Sequence, residues 1–169
     1  MKSCLILTGG KLNLAFARSF LEKEHFDKVI AVDGGLESAE ALGITPDYIV
    51  GDFDTLDPEI LTWYQTNTQI EIRQFNPVKD ATDTQIAIEL AMELGSRKIT
   101  LIGGTGTRLD HVLGNIQTLY LPFAKGIDCR IVDAHNRIRL VSGELHLKMA
   151  EQWGKYVSLI PFTTDVEGV

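Results

Sequence analysis

The sequence predicts an α/β fold: a doubly wound, mostly parallel sheet with helices on both faces, followed by the start of an antiparallel β-sandwich unit. Three observations carry that prediction. Short, continuously apolar runs recur through residues 1–127, the pattern of strands buried on both faces of a parallel sheet. Stretches with apolar residues at helical spacing separate them. Beyond residue 127 this alternation stops, and strand-like runs joined by short turns follow. The expected division is therefore 1–127 for the α/β unit and 128–169 for an incomplete β unit.

The first expected strand, Ser3 to Thr8, is short and apolar and ends at Gly9-Gly10. Leu12, Ala15, Phe16, Ser19 and Phe20 then recur at helical spacing. Lys28 to Val32 reads as a second strand, ended by Asp33-Gly34-Gly35. Leu36, Ala39 and Leu42 mark one face of a short helix stopped by Gly43 and Pro46. Tyr48 to Val50 is the third strand, and Glu59 to Thr66 a helix with Ile60, Trp63 and Tyr64 facing inward. Gln69 to Phe75 is compatible with a fourth strand. Pro77 blocks a helix before it, while Thr82 and Gln85 have capping-box spacing at the start of a helix over 83–94. That helix carries Ile86, Leu90 and Leu94 on one stripe beside Ala87 and Ala91, with Gly95 as its stop. Ile99 to Ile102 is a fifth strand, followed by Gly103-Gly104-Thr105-Gly106-Thr107. A helix with Leu109, Val112, Leu113, Ile116 and Tyr120 on one face comes next. In the last part, Cys129 to Val132, Arg137 to Val141, Glu144 to Lys148 and Tyr156 to Ile160 read as strands.

Composition narrows the function classes. Hydrophobic residues make up 44% and charged residues 23%, the profile of a globular protein. A net charge of −7 argues against a nucleic-acid or anionic-membrane surface. Cys4 and Cys129 lie too far apart to suggest a disulfide framework or a metal spacing, and a reducing, cytoplasmic setting is expected. No apolar stretch approaches the length of a membrane span, and the run Cys4 to Leu7 is too short for a signal peptide.

The chemistry concentrates in Gly51-Asp52-Phe53-Asp54. It follows a strand, where open α/β sheets place their ligands. In an extended chain the carboxylates of Asp52 and Asp54 point the same way and Phe53 the other. Two carboxylates aimed at one point repel unless a cation or proton lies between them, and hard oxygens suit Mg²⁺. A solvated acidic turn before a helix capped by Asp57 is the plain alternative. Four more places put Gly or Asp at a strand end or helix start: Gly9-Gly10, Asp33-Gly34-Gly35, Lys79 to Asp83, and Gly103 to His111. A doubly wound sheet gathers such loops along one edge. Gly9-Gly10 is most simply turn geometry. Asp33 either caps the next helix or touches a ligand. Asp83 complements a helix dipole or, with Asp80, joins a metal set. The glycines of 103–106 permit close backbone approach, and the helix behind them offers N–H groups to an anion. Arg108 is placed to grip a phosphate, and Asp110 orients Arg108 or caps the helix. His111 donates to a phosphate or substrate ring, or is structural.

Asp33-Gly34-Gly35, Gly51-Asp52-Phe53-Asp54, Lys79-Asp80-Ala81-Thr82-Asp83 and Gly103-Gly104-Thr105-Gly106-Thr107-Arg108-Leu109-Asp110-His111, in this order and spacing, resemble bacterial-type thiamin pyrophosphokinases. The resemblance covers roughly residues 1–165. It implies a catalytic α/β domain, then the opening of a β-sandwich domain that shares in the thiamin pocket, with family members running longer than this chain. It further implies transfer of a diphosphoryl group from ATP to the thiamin hydroxyl, giving thiamin diphosphate and AMP, in a homodimer with sites at the subunit interface. On that footing Asp52, Asp54 and Asp83 hold Mg²⁺, with Asp80 a further or alternative ligand. Arg108 neutralises charge, and Asp33 to Gly35, Gly103 to Gly106, Asp110 and His111 line the ATP site. Lys79 and Asp80 lie near thiamin. Other readings are diphosphate transfer to a hydroxymethylpterin, a non-catalytic nucleotide- or thiamin-phosphate-binding module, and a metal-dependent phosphatase.

Overall fold

The structure, a computed structural model, describes residues 1–53, 56–74 and 81–163. Its centre is a seven-stranded sheet in the order β4-β3-β2-β1-β5-β6-β7. The strands are β1 (Ser3–Leu7), β2 (Lys28–Val32), β3 (Tyr48–Gly51), β4 (Glu71–Gln74), β5 (Lys98–Ile102), β6 (Asp128–Val132) and β7 (Arg137–Arg139). The first six pair in parallel and β7 returns antiparallel to β6. The crossovers run through α1 (Leu14–Leu21), α2 (Gly35–Leu42), α3 (Pro58–Asn67), α4 (Asp83–Glu93), α5 (Leu109–Thr118) and α6 (Tyr120–Ala124). The chain winds outward from β1 to β4, then returns to lay β5 on the other side of β1. That reversal makes the crevice between the ends of β1 and β5 the switch point where such sheets bind ligands.

The two-residue period of a strand divides β1 between two cores. Cys4 and Ile6 pack with Ala87, Ile88, Leu90 and Ala91 of α4 on one face. Leu5 and Leu7 pack with Ala17 and Phe20 of α1 and Ala39 of α2 on the other. Burial on both faces is why these runs carry no polar alternation. Local signals set the helix ends as expected. Gly43 stops α2 with φ of 71°, and Asp57 accepts from the Glu59 N–H to cap α3. The Thr82 hydroxyl accepts from Gln85 N at 3.2 Å. The box is half made, because Gln85 Nε2 donates instead to Glu89. Thr82→Ala is expected to cost about 1 kcal/mol in urea unfolding.

Several expectations need correction. Residues 128–132 are not the first strand of a separate antiparallel unit. They pair in parallel with β5, from Lys98↔Asp128 to Ile102↔Val132, and α5 and α6 supply the crossover. A short apolar run has the same pattern in a parallel sheet as in a sandwich, so its sequence cannot tell the two apart. The strands expected over 144–148 and 156–160 do not form; the one regular element there is a 3₁₀ turn, Met149–Glu151. Leu145, Leu147, Val157 and Leu159 keep strand-like alternation but are exposed, and a strand needs a neighbour to pair with. Trp63 points outward at 56% exposure while Tyr64 is buried. The apolar face of α5 is only partly covered, with Ile116 packed on the core but Leu109 and Leu113 exposed. Trp153 is an anchor for the chain after β7: its ring stands edge-on to Phe16 and Phe20, and the Arg137 guanidinium lies over it.

Candidate active site

The C-terminal ends of the parallel strands bring the Gly- and Asp-bearing loops to one edge. They fit there because backbones approach too closely for side chains. A Cβ on Gly10 would lie 2.0 Å from the Gly103 carbonyl oxygen, and one on Gly9 3.3 Å from Gly34 N. Neither Gly9 nor Gly10 has a positive φ, so contact between loops, rather than turn geometry, demands glycine at this pair. The loops after β1, β2 and β5 thus form one interlocked floor.

Three carboxylates meet on this floor. One oxygen from each of Asp33, Asp52 and Asp83 lies within 4.8 Å of the others, and all three residues are half-buried. Burial, then the Asp83 charge, pushes the Asp33 carboxyl up to about 7. Carboxylates held this close resist ionising together, and a divalent cation among them removes that resistance. Three convergent hard oxygens are donors of the kind such a cation takes. The donor set therefore fits a divalent metal.

The way the set is assembled differs from the sequence expectation. Phe53 adopts φ of 61°, a left-handed conformation rare for a bulky residue, so the chain is not extended through Asp52-Phe53. Side chains therefore do not alternate from face to face there. Asp33, also left-handed at φ of 45°, supplies a third carboxylate instead. Its Oδ1 accepts from Phe53 N at 3.4 Å, and a Cβ on Gly51 would fall 1.8 Å from that oxygen. Gly51 makes room for Asp33. Asp83 enters from the first turn of α4, held by the Thr82 cap. Asp54, Lys79 and Asp80 lie outside the described residues.

The loop of Gly103, Gly104, Thr105 and Gly106 crosses the crevice beside this set. Gly103 has φ of 82°, and Asn115 of α5 donates to the Gly104 carbonyl at 3.0 Å. Thr105 donates to Asp133, at the end of β6, at 2.6 Å. Asp110 pairs with Arg108, with Nη2–Oδ2 at 2.6 Å and Nε–Oδ1 at 3.3 Å. The pair is exposed, and hydrogen bonding to Arg108 lowers the Asp110 carboxyl from its ordinary value. His111, also exposed, lies 4.0 Å from Asp110 Oδ2.

Sequence reading missed two residues that hold this loop. Asn115 is one turn beyond His111 on α5, one of several polar residues in that helix and so not singled out by its sequence. Asp133 ends a strand as Asp33 does, but placing β6 in a separate unit concealed the parallel.

A family model described as thiamin pyrophosphokinase, catalytic domain, matches residues 21–131. Thiamine pyrophosphokinase of Bacillus subtilis (strain 168) is 34% identical over 98% of this chain and 77% of its own length. The chain belongs to the thiamin pyrophosphokinase family. Solved family structures share the fold. The crystal structure of the Bacillus subtilis thiamine pyrophosphokinase superposes with a TM-score of 0.69 at 30% identity, over 82% of this chain and 63% of that one. The Geobacillus thermodenitrificans thiamin pyrophosphokinase structure gives 0.63 at 32% identity, over 79% and 60%. Yeast thiamin pyrophosphokinase, at 17% identity and a TM-score of 0.67, shares the fold alone. The chain thus spans a little under two thirds of the solved relatives it matches. In this member of the thiamin pyrophosphokinase family, the matched catalytic segment takes in Asp33, Asp52, Asp83 and the Gly-rich loop. No helix among the described residues is long and apolar enough to cross a membrane.

Proposed function

We propose that the protein is a thiamin diphosphokinase, transferring the diphosphoryl group of ATP to the hydroxyl of thiamin and releasing AMP. The observation that carries this reading is the convergence of Asp33, Asp52 and Asp83 beside a Gly-rich loop at the switch point of a thiamin pyrophosphokinase-family sheet. The thiamin oxygen forms a bond to the β-phosphorus, the bond from that phosphorus to the α–β bridging oxygen breaks, and the hydroxyl proton passes to a carboxylate of the site. Asp33, Asp52 and Asp83 would hold Mg²⁺, with Asp54 and Asp80 as further ligands. When bound, the ion offsets the charge of the polyphosphate against an acidic protein. The Gly-rich loop seats the nucleotide through backbone N–H groups, together with Gly34 and Gly35. Arg108, oriented by Asp110, turns its guanidinium to the transferring group, and His111 lies at the same helix start. Catalysis then rests on positioning and charge neutralisation. Lys79 and Asp80 belong to the thiamin site, which is shared with the chain after β7 and with a second subunit in a homodimer. The setting is the cytoplasm.

The test is product analysis with ATP, Mg²⁺ and thiamin, resolving AMP from ADP. AMP and thiamin diphosphate in equal amounts, dependent on thiamin, are expected. AMP formed only with a hydroxymethylpterin would replace the acceptor, and ADP or free phosphate would overturn the reaction.

A further inference from the structure

We propose that Asp133 is a positioning residue that holds the Gly-rich loop over the crevice through the Thr105 hydroxyl; its consequence for ATP rests on the function proposed above. The side chain of Asp133 joins two structures. One oxygen, Oδ1, accepts from the backbone N–H groups of His135 and Asn136, at 2.7 and 2.6 Å, and so builds the turn from β6 into β7. The other, Oδ2, accepts from Thr105 Oγ1 at 2.6 Å. A hydrogen bond to an ionised oxygen is stronger and more directional than one between neutral groups. The carboxylate is well provided for: burial, the largest single influence, would raise it, but the donors together, Thr105 and then Asn136 foremost, lower it from its ordinary value. Its backbone is fixed too, because Trp153 Nε1 donates to the Asp133 carbonyl at 3.1 Å while its ring packs on α1.

The loop is held at other points too, with Gly103 buried against Thr8 and Gly10. Asn115 holds the Gly104 carbonyl, and Gly106 packs on Gly10. Glycines at 103, 104 and 106 widen the range of conformations open to the segment whenever it loosens, so keeping it ordered for a ligand costs entropy. A side-chain tether at the one non-glycine residue between them reduces that cost before the ligand arrives. The tether also links the loop to Trp153, in the segment that follows the sheet.

Thr105→Val removes the donor and keeps the shape, and leaves the β6–β7 turn intact. Asp133→Ala removes the acceptor. In amide hydrogen exchange, the 103–107 segment is expected to exchange ~10-fold faster in either variant, with the helices unchanged. Thr105→Ser, which keeps the hydroxyl, should retain the protection of wild type. In steady-state kinetics, KM for ATP should rise ~10-fold in each single variant and no further in the double, with KM for thiamin unchanged. Unchanged exchange at 103–107 in Thr105→Val would overturn the proposal, as would effects on KM that multiply in the double variant. If Asp133→Ala does not fold, exchange in Thr105→Val decides alone. If wild type shows no turnover of ATP with thiamin, the proposed function fails, and the exchange comparison still settles the tether.

Discussion

Asp52→Asn is expected to lower turnover by roughly 10³-fold while leaving the fold intact. The substitution keeps the size of the side chain and removes one charge from a set whose oxygens lie within 4.8 Å of each other. A neutral amide oxygen is a poorer ligand for a hard cation, so the charge that balances the polyphosphate is lost with the metal. Stability should move the other way. The Asp52 charge is one of the influences that raise the Asp33 carboxyl, so the metal-free variant should unfold at no lower a temperature than wild type. Mg²⁺ at ten times its Kd should stabilise wild type by about 1.4 kcal/mol and the variant hardly at all. Thermal unfolding with and without Mg²⁺, beside the AMP assay, checks both parts. Substantial remaining turnover, or an equal Mg²⁺ shift in the variant, would remove Asp52 from the metal set.

Gly35→Ala is expected to destabilise the protein by about 3 kcal/mol, the upper range for overpacking a rigid site. A Cβ there would lie 2.0 Å from the Leu7 carbonyl oxygen and 2.6 Å from its carbon. Both belong to the central strand, which pairs on each side with β2 and β5 and cannot move aside alone. The helix α2 would have to lift from the sheet, carrying Asp33 out of the carboxylate set. Urea unfolding measures the loss, and Mg²⁺ binding by the folded fraction should weaken with it. Gly114→Ala is the control. Nothing lies within 4 Å of its Cβ and it sits inside α5, so about 0.5–1 kcal/mol should be gained. An equal loss at both positions would mean that close approach is not what glycine at 35 provides.

Periodicity and punctuation in the sequence were enough to place five of the six parallel strands, their helices and the edge where the site lies. Each of these is local: an apolar run of strand length, a capping Thr82 or Asp57, a stop at Gly43. The carboxylate set was only partly legible. Asp52 and Asp83 stood at strand and helix ends, but Asp33 read equally as a helix cap, because a single Asp after a strand has the same neighbours in either role. Its membership depends on the left-handed turns at Asp33 and Phe53 and on the space left by Gly51, which arise only when β2 and β3 lie side by side.

By itself, then, the sequence determined the α/β class, the order of the elements and the loops that carry chemistry, since these follow from spacing along the chain. Tertiary structure alone decided that β6 extends the parallel sheet, that glycines 10 and 35 are required by neighbouring backbones, and that Asp133 reaches Thr105 across 28 residues. The reason is common to all three. Strand partners, close approaches and tethers join residues distant in the chain, and short-range patterns hold no record of which distant segment arrives.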